Sequence, residues 1–240
     1  MSEPILTVDH LSFGFRNQQL YQDLSFQLNV GSMTSLVGPN GVGKTTLIRL
    51  LMAQLKPQAG TIRFRQQPPV RLGYVPQFRN VDTEFPLSIR SFIQLRQLDH
   101  LFFWHTGKEK AALDAVIKAT HLGKIADTRL GMASGGEKQK AYLAQALLDD
   151  PNFLILDEST ASLDVNTKQE LMDLVQELNQ TRQLTVLFVT HDLSLAKKYT
   201  QQYLLLTGSS YEMKPTAQMD LKAMPEELRN DAENLSLIHI

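Results

Sequence analysis

Three stretches of this 240-residue chain predict an α/β fold built on a mostly parallel sheet. Gly38 to Thr45 fits the pattern G-x-x-x-x-G-K-[ST], with an apolar run before it and a helix-like run after it, which reads as a buried strand turning through a phosphate loop into a helix. Asn152-Phe153-Leu154-Ile155-Leu156 is continuously apolar, as a strand buried on both faces of a parallel sheet must be, and it ends in Asp157-Glu158. From there to Leu206 helical and strand patterns alternate, the mark of parallel strands joined by crossover helices.

The elements follow in order. Ile5 to Phe15 and Leu24 to Val30 alternate apolar and polar side chains and read as antiparallel strands with one buried face. Met33 to Val37 is the strand that runs into the phosphate loop. Thr45 to Leu55 repeats leucine and isoleucine at helical spacing and stops before Pro57. Two short strands are expected at Thr61 to Phe64 and Leu72 to Val75, separated by a Gln-Gln-Pro-Pro turn. Between about 87 and 148 the pattern is helical, with helices at Ser88 to Leu98, Lys108 to Thr120 and Glu137 to Leu148, and the expectation is an α-helical insertion in the α/β chain. After the 152–156 strand come a helix at Asn166 to Asn179, a strand at Leu184 to Thr190, a helix at Leu193 to Tyr199 and a strand at Gln202 to Leu206. The domain is therefore bounded at about residues 1–207, and the polar tail 208–240 is expected to be loosely packed. Its end, Leu235 to Ile240, reads as a translated sequencing-adapter sequence, so a non-native ending is expected there.

Composition narrows the function classes. Lys and Arg number 24 against 25 Asp and Glu, a net charge of -1, which lacks the positive footprint of a protein that lives on nucleic-acid backbones. The absence of cysteine removes disulfides and thiolate metal sites and suits a reducing interior. No apolar run approaches the ~20 residues that span a bilayer. The expectation is a soluble, cytoplasmic protein without a nucleic-acid partner.

The chemistry sits in four places. In the loop Gly38-Pro39-Asn40-Gly41-Val42-Gly43-Lys44-Thr45-Thr46, glycines let backbone N–H groups converge on phosphate oxygens, and the helix dipole adds positive potential. Lys44 has the reach for the outer phosphates, and Thr45 offers a hydroxyl to an accompanying Mg²⁺. Asp157 and Glu158, at the carboxyl end of a buried strand, lie where open α/β sheets collect ligands, one suited to the Mg²⁺ shell and the other to orienting and deprotonating water. Ser134-Gly135-Gly136-Glu137 precedes a helix and makes a second anion site, or simply a helix start. On its own, Phe15 reads as a core partner of Phe13, His191 as a hydrogen-bonding residue at a strand end, and Gln77 carries no signal. The remaining histidines form no tight ligand spacing.

In this order the motifs resemble the nucleotide-binding subunit of ATP-binding cassette transporters, over roughly residues 5 to 207. Gly38 to Thr46 resembles the Walker A loop, Gln77 the Q-loop glutamine, Ala133-Ser134-Gly135-Gly136-Glu137 the signature, Phe153 to Glu158 the Walker B strand, Ser162-Leu163-Asp164 the D-loop and His191 the switch histidine. The resemblance implies a P-loop NTPase core with a mostly parallel sheet, N-terminal antiparallel strands and an inserted α-helical subdomain. It implies ATP and Mg²⁺ as ligands, catalysis by Glu158, His191 and Gln77, Mg²⁺ held by Thr45, Gln77 and Asp157, and Phe15 stacking on adenine. The chain departs from the pattern at Ala133, Glu137 and Ser159, where leucine, glutamine and proline are usual. A carboxylate at 137 beside a γ-phosphate would be repulsive, so its side chain is expected to turn away or to meet a cation.

Such subunits pair head to tail, each signature capping the ATP held by the other's Walker A loop. The implied partners are a second copy, a multi-spanning permease on the inner face of the cell membrane, seated in a groove at Gln77 and Phe78 to Ile89, and, indirectly, an extracellular or periplasmic metal-binding protein. Leu72 to Gln77 with Asp82 to Ile89 is most similar to the ATPases of zinc and manganese uptake systems. A soluble ATPase of the same fold, serving an assembly such as an iron–sulfur scaffold, is the alternative.

Overall fold

The computed structural model describes residues 4–16, 18–77, 82–97, 107–161, 163–208 and 210–228. Strands β1 (Pro4–Phe15) and β2 (Gln18–Asn29) form one long antiparallel hairpin, and β4 (Ala59–Phe64) pairs antiparallel with the other edge of β1. β2 starts earlier than the sequence pattern suggests, because register shifts at Leu11, Phe13 and Gly14 break the two-residue alternation that marks a strand.

The second sheet has six strands in the order β5-β6-β7-β3-β8-β9: Leu72–Val75, Phe153–Asp157, Thr185–Val189, Met33–Val37, Gln202–Leu206 and Tyr211–Pro215. All neighbours are parallel except β8 and β9. Both faces are covered, which explains the unbroken apolar runs. Along β6, Phe153 and Ile155 face the cluster shared with the three-stranded sheet and α1 (Lys44–Leu51), whereas Leu154 and Leu156 face the cluster built with the helices α2 (Ile89–Gln94), α3 (Gly107–Ala119), α4 (Gly135–Leu147) and α5 (Val165–Arg182). α2, α3 and α4 are the described α-helices between β5 and β6. α1 ends at Leu51, short of the expected Leu55, as Ala53 takes a left-handed φ of 56° and turns the chain toward Pro57.

The largest departure concerns residues 210–228, expected to be loosely packed. β9 adds to the sheet, with Leu206 opposite Tyr211 and Leu204 opposite Met213. Beyond it, Met219, Met224 and Leu228 are buried in a third cluster with Val37, Leu205 and α6 residues Leu193 and Ala196 (α6, Leu193–Tyr199). Met219 and Met224 directly follow short 3₁₀ turns and Leu228 is the last described residue of a short helical stretch, so the three carry neither a helical nor a strand period and no periodic signal announces them. Residues 235–240 lie outside the described residues.

Candidate functional site

Strand order places the site. The pairings Val75 with Leu156, Asp157 with Val189, and Leu36 with Val189 bring the carboxyl ends of β5, β6, β7 and β3 to one edge of the sheet. Asp157 closes β6, and Gln77, Glu158, His191 and the start of the loop Gly38–Thr46 come within two residues of those four strand ends, so residues more than a hundred positions apart emerge side by side.

The phosphate loop is built around positions only glycine can occupy. Gly43, the residue before α1, has φ 109°, and a Cβ there would lie 2.6 Å from the Tyr21 hydroxyl oxygen, which donates a hydrogen bond to the Gly43 carbonyl. A Cβ on Gly38 would lie 2.5 Å from the backbone oxygen of Leu206 and 2.9 Å from Val42 Cγ1. Gly38→Ala is therefore expected to cost about 1–3 kcal/mol of stability through overpacking, read as a lower urea midpoint. Val42 faces the core, so it offers the site only backbone; Thr45 is exposed and Thr46 half-buried at the start of α1.

Lys44 is 6 % exposed, and its Nζ donates to the carbonyls of Gly38 (2.7 Å) and Pro39 (3.1 Å), 3.8 Å from Glu158 Oε1. Burial pushes its pKa down, while Glu158 and then Asp157 pull it back up. Asp157 is buried and accepts the Tyr74 hydroxyl at 3.0 Å. Burial drives its carboxyl pKa up against the pull of Tyr74, Lys44 and Arg49, with Glu158 adding to the rise. Glu158 holds φ 43°, donates its N–H to the Val189 carbonyl at 3.0 Å, and accepts the Gln77 Nε2 at 2.9 Å. With its nitrogen committed there, Gln77 keeps its amide oxygen for another ligand. Thr45 hydroxyl, Gln77 amide oxygen and Asp157 carboxylate are hard oxygen donors of the kind Mg²⁺ takes together with phosphates. Among the described residues no group of three or more His, Cys, Asp or Glu is placed to hold a metal by itself.

His191 and Asn40 share a cavity of about 360 Å³ with Gly38, Pro39, Glu227 and Leu228. Phe15 is 55 % exposed, edge-on to the buried Phe13 at 5.3 Å, so the aromatic pair divides into a core residue and a free ring face. Ser134 caps α4: its hydroxyl accepts the Glu137 N–H, and the Glu137 carboxylate turns back to accept the Ser134 N–H at 2.7 Å. The carboxylate at 137 is thus turned onto the backbone amide of its own helix's N-cap, Ser134. Gly135 and Gly136 border the start of α5, where a Cβ on Gly136 would sit 2.4 Å from Thr167 Cγ2. Asp164 caps α5, accepting from Thr167 N (3.1 Å) and Thr167 Oγ1 (2.6 Å), bonds that hold its carboxyl pKa below the usual range. Ser162 lies outside the described residues. Tyr21 and Tyr74 escape the sequence reading because each meets its partner only across the fold, Tyr74 through its register opposite Ile155.

Residues 21–161 match the sequence profile of the family described as ABC transporter. The chain belongs to the ABC transporter family. It is an ATP-binding subunit of that family, an ATP hydrolase coupled to transport. Its ABC relatives include the zinc import ATP-binding protein ZnuC of Yersinia enterocolitica serotype O:8 / biotype 1B, 36 % identical over 202 residues that cover 84 % of this chain and 76 % of that protein. ZnuC of Pseudomonas syringae pv. syringae is 34 % identical over 206 residues, covering 86 % and 74 %. Among solved structures, a chain described as belonging to a metal-chelate type ABC transporter in an inward-facing conformation superposes with a TM-score of 0.83 at 26 % identity, covering 94 % of this chain and 88 % of that one. CbiO1 of Clostridium perfringens, part of the transporter complex cbiONQ, shares the fold with a TM-score of 0.79 at 23 % identity and full coverage of both chains. No helix among the described residues is long and apolar enough to cross a membrane.

Proposed function

We propose that this chain powers import of a metal ion, zinc or manganese, by hydrolysing ATP in two sites shared between head-to-tail copies at the cytoplasmic face of the membrane. The observation that carries the reading is the convergence of Lys44, Gln77, Asp157 and Glu158 at one sheet edge, while the Ser134 cap borders α5 instead. An anion site that does not border its own phosphate loop is suited to closing over a partner's.

In this reading the loop amides and Lys44 bind the β- and γ-phosphates, Phe15 stacks on the base, and Thr45, Gln77 and Asp157 hold Mg²⁺. When bound, that ion neutralises charge developing on the transferred phosphoryl group. Glu158 accepts the proton of the attacking water, Gln77 fixes the carboxylate's direction, and His191 faces the γ-phosphate from the next strand end. Asp164 and the 134–137 cap contribute from the second copy. ATP then joins the two copies and its hydrolysis releases them, which is a ligand-driven shift between two states.

Metal cargo rests on the ZnuC relatives and on the resemblance at 72–77 and 82–89. A groove of about 590 Å³ between the end of α1, β5 and the helical segment, lined by Leu51, Met52, Gln54, Tyr74, Arg96 and Gln145, suits a helix of the permease; residues 78–81 of the expected seat lie outside the described residues, and the lining falls elsewhere than at 82–89. A metal-binding protein outside the membrane would deliver the cargo. The test is co-purification with a multi-spanning partner and uptake of radioactive zinc or manganese by vesicles holding the complex. ATP-dependent uptake of either ion is expected, and isolation with soluble scaffold proteins and no uptake would overturn the proposal.

A further inference from the structure

Lys168 occupies a position where lysine is hard to accommodate. It lies in the first turn of α5, at the positive end of the helix dipole, and it is 8 % exposed. Its Nζ stands 3.5 Å from Oδ2 of Asp192, which is 5 % exposed. Asp192 directly follows His191 and caps α6, its other oxygen accepting the N–H groups of Ser194 and Leu195 at 3.1 Å each.

The turn that carries His191 is thereby held from three sides. The Val189 carbonyl accepts the Glu158 N–H at 3.0 Å, and the Thr190 N–H donates to the Leu36 carbonyl at 3.1 Å, one residue before β3 ends at Val37 and the phosphate loop begins. The third tie is Lys168 to Asp192, and it reaches the turn from a different element. Lys168 follows Thr167, which packs on Gly136 and bonds Asp164, so the same helical turn touches the signature cap, the D-loop aspartate and the residue after the switch histidine. A buried ion pair adds little net stability over an apolar pair of equal volume. What it does supply is a specified geometry.

We propose that Lys168 is a positioning residue for ATP hydrolysis: through Asp192 it sets His191 in register with the first turn of α5. The inference rests on the reading of His191 as a group that faces the γ-phosphate. A displacement of about 1 Å at a reacting group is enough to cost on the order of 10²-fold in rate, whereas the phosphate loop, which Lys168 does not touch, keeps its hold on the nucleotide.

The experiment uses the full chain with Lys168→Met and the double variant Lys168→Met/Asp192→Asn, with ATP turnover, ATP affinity and the thermal midpoint measured on each. Asparagine caps a helix as well as aspartate does, so the double variant removes the unpaired buried charge and keeps α6 started. The expected result is a kcat at least about tenfold lower in both, a KM for ATP within about twofold of wild type, and a thermal midpoint that drops in the single variant and recovers in the double. A kcat that stays at wild type in Lys168→Met, or one that recovers along with the thermal midpoint in the double variant, would overturn the proposal by reducing the pair to a structural contact. His191→Ala run in parallel separates the two readings. If it leaves kcat unchanged, the assignment of His191 fails first; if it lowers kcat while Lys168→Met does not, only Lys168 is excluded.

Discussion

Glu158→Gln is expected to lower ATP turnover by about 10²- to 10⁴-fold, the range for loss of a general base, with ATP binding retained. The geometry makes this a clean substitution. The side chain is held by Gln77 Nε2 at 2.9 Å, a bond that a glutamine oxygen accepts equally well, and the φ of 43° belongs to the backbone, which the change leaves alone. What disappears is the proton acceptor and one negative charge 3.8 Å from Lys44 Nζ. With that charge gone, Lys44 is freer to pair with phosphate, so ATP affinity should hold or rise. Phosphate release under saturating ATP, with equilibrium binding of a fluorescent ATP analogue, checks both halves. In the proposed pair of copies the variant should also accumulate as an ATP-bound dimer by light scattering. Turnover near wild type would remove Glu158 from the role.

Lys44→Ala should act on the earlier step. Hydrogen bonds to a charged group contribute about 1.5–3 kcal/mol each, so losing the ammonium should weaken ATP binding by at least about tenfold, and turnover with it. The apo fold should survive. Among the described residues Lys44 bonds the carbonyls of Gly38 and Pro39 and pairs with the Glu158 carboxylate, and its departure removes a buried charge as well as its bonds. One compensating change is expected nearby: with a cation gone that holds the Asp157 carboxyl pKa down, burial would raise it further. Mg²⁺-dependent binding should then weaken on the acidic side sooner than in the wild type, since a protonated carboxyl is no ligand. Unchanged nucleotide affinity in Lys44→Ala would contradict the loop assignment.

Much of this was legible in the chain itself, and the reason is locality. A phosphate loop needs its glycines, lysine and threonine within nine consecutive residues, because one turn of backbone and one helix start do the binding. A doubly covered strand such as Phe153–Asp157 must be apolar at every position, and that too is local. Elements whose burial follows no period stayed hidden, as did β2 before Leu24 and the packed segment from Tyr211 to Leu228.

The sequence by itself thus determined the fold class, the family and the residue types at the sheet edge, since each is written in short strings with fixed spacing. Only the tertiary structure decided their company. Phe13 went to the core and Phe15 to the surface, Tyr74 reached Asp157, and Lys168 found Asp192. Those outcomes depend on strand order and register, which bring residues 24 to 83 positions apart into contact, and no local pattern of side chains encodes a distance that long.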